Sequence, residues 1–442
     1  METTHITGTF APLGDRKMSR FQILTLTLCG LGAVVDGFDV QVIGYVAPSI
    51  VRDWGIDKAA MGPVFSAGLL GLVLGSFLLS MLADRIGRRP TLILTMMAVF
   101  VCCSVTGMAR TLHELLFLRF TTGIALGSVL PNAMALAGEY APSKKRVAVV
   151  MLVSVGFTVG AVVGGFLSAV VIPVWGWRGV FYAGGLAPMV ISILMIAFLP
   201  ESLQFLLSRG RHAAVQKWLR CVDPAMSTTV DALPAPVPHS DKSLLSGLFT
   251  QGRAKTTLLL WGANILNLVT LYFLSNWLPT LMISMSATQA SAVWAGTLLQ
   301  VGGTIGTILM GPVIDRRGFG SVLSPAFLIA ACGLLGLGLH GPDLAVTFAL
   351  AFAVGFCIVG GQNGLNALAA ASYPLSIRAT GIGASVGIGR LVSICGPLLA
   401  GEALHVGLSA QVIFVWSALP AFACVGIMVM LSMKRIANAS QY

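Results

Sequence analysis

The stretch GSFLLSMLADRIG, from Gly75 to Gly87, returns as GTILMGPVIDRRG from Gly306 to Gly318. The first glycine, the Asp-Arg pair and the second glycine recur at an offset of 231. A second correspondence keeps almost the same period: EYAPSKKR, ending at Arg146, answers SYPLSIR, ending at Arg378, at an offset of 232. Both lie just beyond long apolar runs, so the chain reads as two tandem copies of one unit of about half its length.

The solvent for that unit follows from composition. Of 442 residues, 56% are hydrophobic and only 10% charged, and the mean hydropathy is +0.89, far from an ordinary water-soluble domain. The apolar runs are continuous and mostly 19 to 30 residues long. They therefore predict membrane-crossing helices and not the alternating strands of a barrel. Twelve runs are expected: 21–50, 61–83, 91–109, 115–137, 147–171 and 179–199, then 256–283, 290–314, 321–339, 344–371, 379–403 and 411–433. The expected fold is thus an all-α integral membrane protein of twelve transmembrane helices in two pseudo-symmetric six-helix halves, 21–199 and 256–433. The remaining segments are an N-terminal one at 1–20, a linker at 200–255 and a C-terminal one at 434–442. The linker contains DALPAPVPHSDK, whose prolines stop helices. ESLQFLLSRGRHAAVQKWLR before it has helical periodicity and basic residues, as expected of a helix on the membrane face.

The net charge of +11 does not point to nucleic acid. With the N-terminus inside, 21 of the 27 basic residues fall in segments on that side, and only Arg52, Lys58, Arg110 and Arg178 fall opposite. The positive-inside rule accounts for the excess and predicts both termini in the cytoplasm. Residues 1–20 show no cleavage pattern, so the first span is expected to be retained. Seven of the eight cysteines lie in apolar spans and read as small packing residues, with neither a disulfide nor a metal site expected.

GSFLLSMLADRIGRR resembles the signature loop between the second and third helices of the major facilitator superfamily. Together with DGFD (Asp36–Asp39), RFTTGIALGSVLPNAMALAGEY (Arg119–Tyr140), PES (Pro200–Ser202) and IRATGIGASVGIGR (Ile377–Arg390), the chain is similar along essentially its whole length to the aromatic acid:proton symporter family. The resemblance implies a transporter that rocks one half against the other around a site near the midplane. It works as a monomer without a cofactor, driven by the proton gradient, and its partners are a small aromatic carboxylate, protons and the lipid bilayer. It also implies that Gly75, Asp84, Arg85, Gly87 and Arg88, with Glu139 and Arg146, form a gate whose repeat counterparts are Asp315 and Arg378. Asp84 can take charge-assisted hydrogen bonds from the other half, Arg378 being the natural partner. The plainer alternative is that these residues turn tight loops and anchor topology.

Two acids inside the first span need a reason, because a charge at mid-membrane costs roughly 2.5–3.5 kcal/mol on insertion scales. Asp36 and Asp39 are three apart and so share a helix face, with Gly37 allowing close approach or a bend. Desolvation and a like-charged neighbour both favour the protonated form of a carboxyl, which makes the pair a candidate proton site. The alternative is a helix-end acid in the headgroup layer. Arg390, about eleven residues into its span among four glycines, suits bidentate binding of a carboxylate; the alternative is an ion pair with Asp36 or Asp39. By the superfamily resemblance, Arg119 belongs to proton coupling or helix packing. Among the polar residues of the seventh and tenth spans, Tyr272, Gln362 and Asn363 are the candidates for substrate contact, against the alternative of bonds between helices.

No catalytic triad, metal-ligand spacing or phosphate loop is present, so an enzyme is not expected. Proton-coupled uptake of a hydroxybenzoate, protocatechuate, gentisate or hydroxyphenylpropionate is the leading expectation. The alternatives are a proton-coupled exporter of drugs or metabolites, or a membrane sensor of aromatic acids.

Overall fold

The structure is a computed structural model that describes residues 18–142, 145–222, 247–250, 253–339, 343–374 and 377–439. The side chains of 147, 378, 379 and 433–439 are outside that description, as is the whole proline-rich part of the linker. The described chain is helical throughout.

In the first half, α1 (Arg20–Trp54) is followed by α2 (Met61–Ile86), α3 (Arg88–Thr106), α4 (Leu112–Leu126), α5 (Val129–Tyr140) and α6 (Arg146–Phe198). Ser19 and Gln22 close a capping box at the start of α1, and Gly55 ends it in the left-handed conformation. The fourth span breaks at Gly127–Ser128 into α4 and α5, whereas the fifth and sixth run on as α6 and turn at Gly176, where φ is +66°. Two short linker helices, α7 (Leu203–Ser208) and α8 (His212–Val222), lead to the second half. That half comprises α9 (Ala254–Ser284), α10 (Gln289–Arg317), α11 (Phe319–Leu339), α12 (Leu344–Ser372), α13 (Arg378–Ser393), α14 (Cys395–His405) and α15 (Ala410–Ala439). Counting α6 as two crossings, and α4–α5 and α13–α14 as one each, the described residues make twelve.

The halves repeat each other in packing as well as in sequence. Helix α2 packs on α4 as α10 packs on α12, and α3 packs on α6 as α11 packs on α15. Small residues make this possible: a Cβ on Gly75 would land on the Ile124 carbonyl of α4, and one on Gly306 on the Phe356 carbonyl of α12. Large apolar side chains such as Phe77, Phe117, Leu152, Leu399 and Trp416 point outward, as they do where the surrounding solvent is lipid.

The two ends of the molecule differ. The end opposite the start of α1, here the far end, has one core shared by both halves, in which Val42, Val46, Ile50, Met61 and Phe65 pack with Phe273, Trp277, Leu281 and Val293. At the other end, here the terminal end, first-half and linker residues such as Leu28, Leu92, Leu136, Tyr140, Leu206 and Leu219 form a core of their own, while second-half residues there, such as Leu260, Leu368 and Tyr373, belong to the cluster that runs from the far end through the second half. Among the described residues, hydrogen bonds between the halves follow the same division. They run from Gln41 to Ser275 (2.9 Å), Lys58 to Ser284 (3.0 Å) and Ser66 to the Ile394 carbonyl (2.9 Å). The halves are joined at the far end and parted at the terminal end.

Candidate functional site

Asp36 sits near the middle of α1 and Asp39 one turn closer to the far end, both 3% exposed. Gly37 between them lets α6 come against α1, since a Cβ there would land on the Phe157 carbonyl. The two acids have different surroundings. Asp39 forms an ion pair with Arg119 of α4, Nη1 to Oδ2 at 3.1 Å and to Oδ1 at 3.3 Å. Arg119 is itself buried; its Nη2 donates to Thr106 (3.1 Å) and Thr122 (3.3 Å), and its guanidinium lies 5.0 Å from the Phe181 ring centroid. The Cys103 thiol donates to Asp39 Oδ1 at 3.1 Å, so Cys103 is a polar partner and not only the packing residue its apolar setting suggests. A void of about 30 Å³ touches Asp39, Phe65, Arg119 and Asn276, with room for a water beside the pair.

Asp36 makes no hydrogen bond to a described residue, and its Oδ1 is buried without a partner. It lies close enough to Arg390 of α13 to interact electrostatically, and Tyr272 of α9 is in the same reach of both. Arg390 is half-buried and its guanidinium has no hydrogen-bonded partner among the described residues. Tyr272 packs with Leu69 of α2 and Leu268 of α9, which places its ring between the halves. The ion pair expected as an alternative for Arg390 is thus made by Arg119 with Asp39. What remains at the centre is one unbonded carboxyl, one unbonded guanidinium and an aromatic wall.

The polar residues of α12 have other partners. Gln362 accepts from Asn267 (2.9 Å) and donates to Asn264 (2.8 Å) and Asn366 (3.3 Å), while Asn264 donates to Ser385 of α13 (2.9 Å). Asn363 turns the other way and donates to Thr307 of α10 (3.0 Å). Both are engaged in bonds within the second half, where the sequence suggests substrate contacts. The amide cluster instead ties α9, α12 and α13 together beneath Arg390.

At the terminal end the signature loop closes on first-half residues. Arg88 pairs with Glu139, and Glu139 also accepts from Ser202 (2.9 Å) and the Leu203 amide (2.7 Å) at the start of α7. Glu201 of the PES motif accepts from the amides of Arg88 (2.9 Å) and Arg89 (3.1 Å) and fills the space above Gly87. Glu201 is a site residue that its motif alone marked, without a partner. Asp84 and Asp315 are exposed and form no hydrogen bond or ion pair with a described residue. Arg85 is exposed too, its carbonyl taken by Arg209 of the linker at 2.7 Å. Arg146 lies against Gly138, and the Arg378 side chain is outside the described atoms. Elsewhere, an open cavity of about 410 Å³ at the far end is lined by Arg52, Asp53, Trp177 and Arg178. No group of three or more metal-ligating side chains comes together among the described residues.

A known family, the Major Facilitator Superfamily, matches this sequence across residues 29–250, the first half and most of the linker. The chain belongs to that superfamily. Among its relatives, the gallate transporter of Pseudomonas putida is 36% identical, over 93% of this chain and 92% of that protein. The 4-hydroxybenzoate transporter PcaK of Acinetobacter baylyi is 33% identical over the same shares. Among solved structures, the partially occluded inward-open form of the xylose transporter XylE from E. coli superposes with a TM-score of 0.74 at 17% identity. It covers 93% of this chain and 98% of that one, and at that identity the likeness concerns the fold. As a major facilitator superfamily member, the chain uses α1 and α4 to carry its buried ion pair and α13 to carry the guanidinium at the centre.

Proposed function

We propose that this protein imports an aromatic carboxylate together with at least one proton across the bacterial inner membrane, by alternating access and as a monomer without a cofactor. The observation that carries the reading is the division of four membrane-embedded charges. Asp39 and Arg119 satisfy each other, while Asp36 and Arg390 lie within electrostatic reach of each other across the halves with no hydrogen bond. A guanidinium in that state suits a carboxylate in bidentate geometry, and the Tyr272 ring beside it offers a face for an aromatic body. The gallate and 4-hydroxybenzoate relatives, similar over nearly the whole chain, support this substrate class.

The coupling follows from electrostatics. One guanidinium and two carboxylates, that of Asp36 and that of the substrate, cannot all be accommodated in a dry site, so substrate binding at Arg390 is favoured when Asp36 carries a proton. A lone anion moving into a cell against an inside-negative potential loses roughly 2.3 kcal/mol per 100 mV. One accompanying proton removes that cost. The distribution of basic residues supports a cytoplasmic terminal end, and with that orientation the parted terminal end corresponds to an inward-facing state.

The test is uptake of labelled hydroxybenzoate into energised vesicles, with and without a proton ionophore. Accumulation should collapse with ionophore; full accumulation in its presence would rule out symport. A panel of gallate, protocatechuate, gentisate and hydroxyphenylpropionate as competitors identifies the ring substituents that the site reads.

A further inference from the structure

We infer that α3 is the positioning element of the buried ion pair, through Cys103 and Thr106 acting on opposite members of it. The inference deepens the proton-coupled reading and rests on it. Helix α3 contributes nothing to the interface between the halves in the hydrogen bonds described, and it carries no charge in the membrane beyond its first two residues. Yet its last turn reaches both partners. The Cys103 thiol donates to Asp39 Oδ1 at 3.1 Å, and the Thr106 hydroxyl accepts from Arg119 Nη2 at 3.1 Å. That hydroxyl in turn donates to the Cys102 carbonyl at 2.6 Å, which turns its lone pairs toward the arginine.

The chemistry matches residue by residue: a donor meets the carboxylate and an acceptor meets the guanidinium. The residues are 2% and 0% exposed, and neither lines the void that touches the pair. Without Cys103, Asp39 Oδ1 keeps only the longer of its two bonds from Arg119, at 3.3 Å. The charged and titratable groups facing Asp39 are Arg119 from α4, Cys102 and Cys103 from α3, and Asp36 from its own helix. The sides facing α2 and α9 contribute Val64, Phe65, Leu69 and Asn276, none of which titrates. The Cys103 thiol is therefore the one neutral side chain that donates a hydrogen bond to the carboxylate among the described residues. The geometry of the pair is set in part by a helix outside the substrate path.

The experiment is the pH dependence of hydroxybenzoate uptake by the full-length protein in vesicles, read as the pH of half-maximal initial rate. Cys103→Ala removes the donor to the ionised carboxylate, so proton binding persists to higher pH and the midpoint moves upward by about 0.5 unit or more, the scale expected when a weak donor to a charge is lost. Cys103→Ser restores an O–H donor and returns the midpoint toward wild type. Thr106→Val loosens the arginine and moves the midpoint in the same direction; it carries the test if Cys103→Ala does not reach the membrane. A merely structural role predicts lower amounts of protein and lower rates at an unchanged midpoint, and that result, with wild-type uptake still proton-driven, overturns the inference alone. Wild-type uptake insensitive to ionophore overturns the proposed function, and the inference falls with it.

Discussion

At the scale of single residues, Asp36 and Asp39 are separated by their partners. Asp39 neutralises a buried arginine, so its removal leaves an uncompensated charge in a low-dielectric site, a loss of about 3–5 kcal/mol in comparable buried pairs. Asp36 has no hydrogen bond to lose. Asp39→Asn is therefore expected to lower the unfolding temperature of the purified protein clearly, whereas Asp36→Asn leaves it near wild type. Both abolish accumulation, because an amide keeps the shape of a protonated carboxyl and releases no proton. Equal unfolding temperatures for the two variants would contradict the division of roles. Arg390→Lys keeps the charge and loses the planar fork, so substrate affinity should fall about tenfold or more, as measured by equilibrium binding, with the fold intact. Unchanged affinity would remove Arg390 from the substrate site.

At the scale of elements, helix contacts without a side chain between them decide the geometry of the site. Gly37 seats α1 on the Phe157 carbonyl of α6; Gly37→Val is expected to destabilise the protein by about 1–3 kcal/mol through overpacking, seen as a lower melting temperature together with lost uptake. Much of this level was legible in the sequence. The apolar run lengths and the Gly75–Gly87 repeat lead directly to two halves and twelve crossings, because length and periodicity are properties of each helix by itself. Partner choice was not legible, because it depends on rotation about helix axes. Residues three apart differ by about 60° around a helix, enough for Asp39 to face Arg119 inside its own half while Asp36 lies within electrostatic reach of Arg390 in the other. Gln362 and Asn363, neighbours about 100° apart, likewise part company, one to Asn264 and Asn267, the other to Thr307. The thiol of Cys103 gave no sequence signal, since cysteine is at home in an apolar span. A membrane arginine needs acceptors, but that need alone leads no further than Thr122, three residues along the same helix.

At the scale of the whole molecule, the asymmetry between a far end whose core both halves share and a terminal end where each half keeps its own core is what alternation requires: one contact surface is assembled as the other is released. In the state described here the far-end surface depends on close backbone approach. A Cβ on Gly44 would land on the Ser275 carbonyl, and Ser275 Oγ accepts from Gln41 (2.9 Å) and Gln300 (3.2 Å), so α1, α9 and α10 meet at one hydroxyl. A larger residue at 44 acts only where the far end is closed, because that is where the two backbones touch. Gly44→Val is accordingly expected to favour the far-end-open state, retaining hydroxybenzoate binding by purified protein while net uptake falls about tenfold or more. Its direct readout is a cysteine placed at Ser275: an impermeant thiol reagent added from the far side should label Ser275→Cys slowly in the wild-type background and several times faster when Gly44→Val is present. Equal labelling rates would mean that the far end opens without parting α1 from α9. The contact at Gly44 would then be ordinary packing, and the terminal-end loop at Glu139, Glu201 and Arg88 would be left as the part of the molecule that distinguishes its two states.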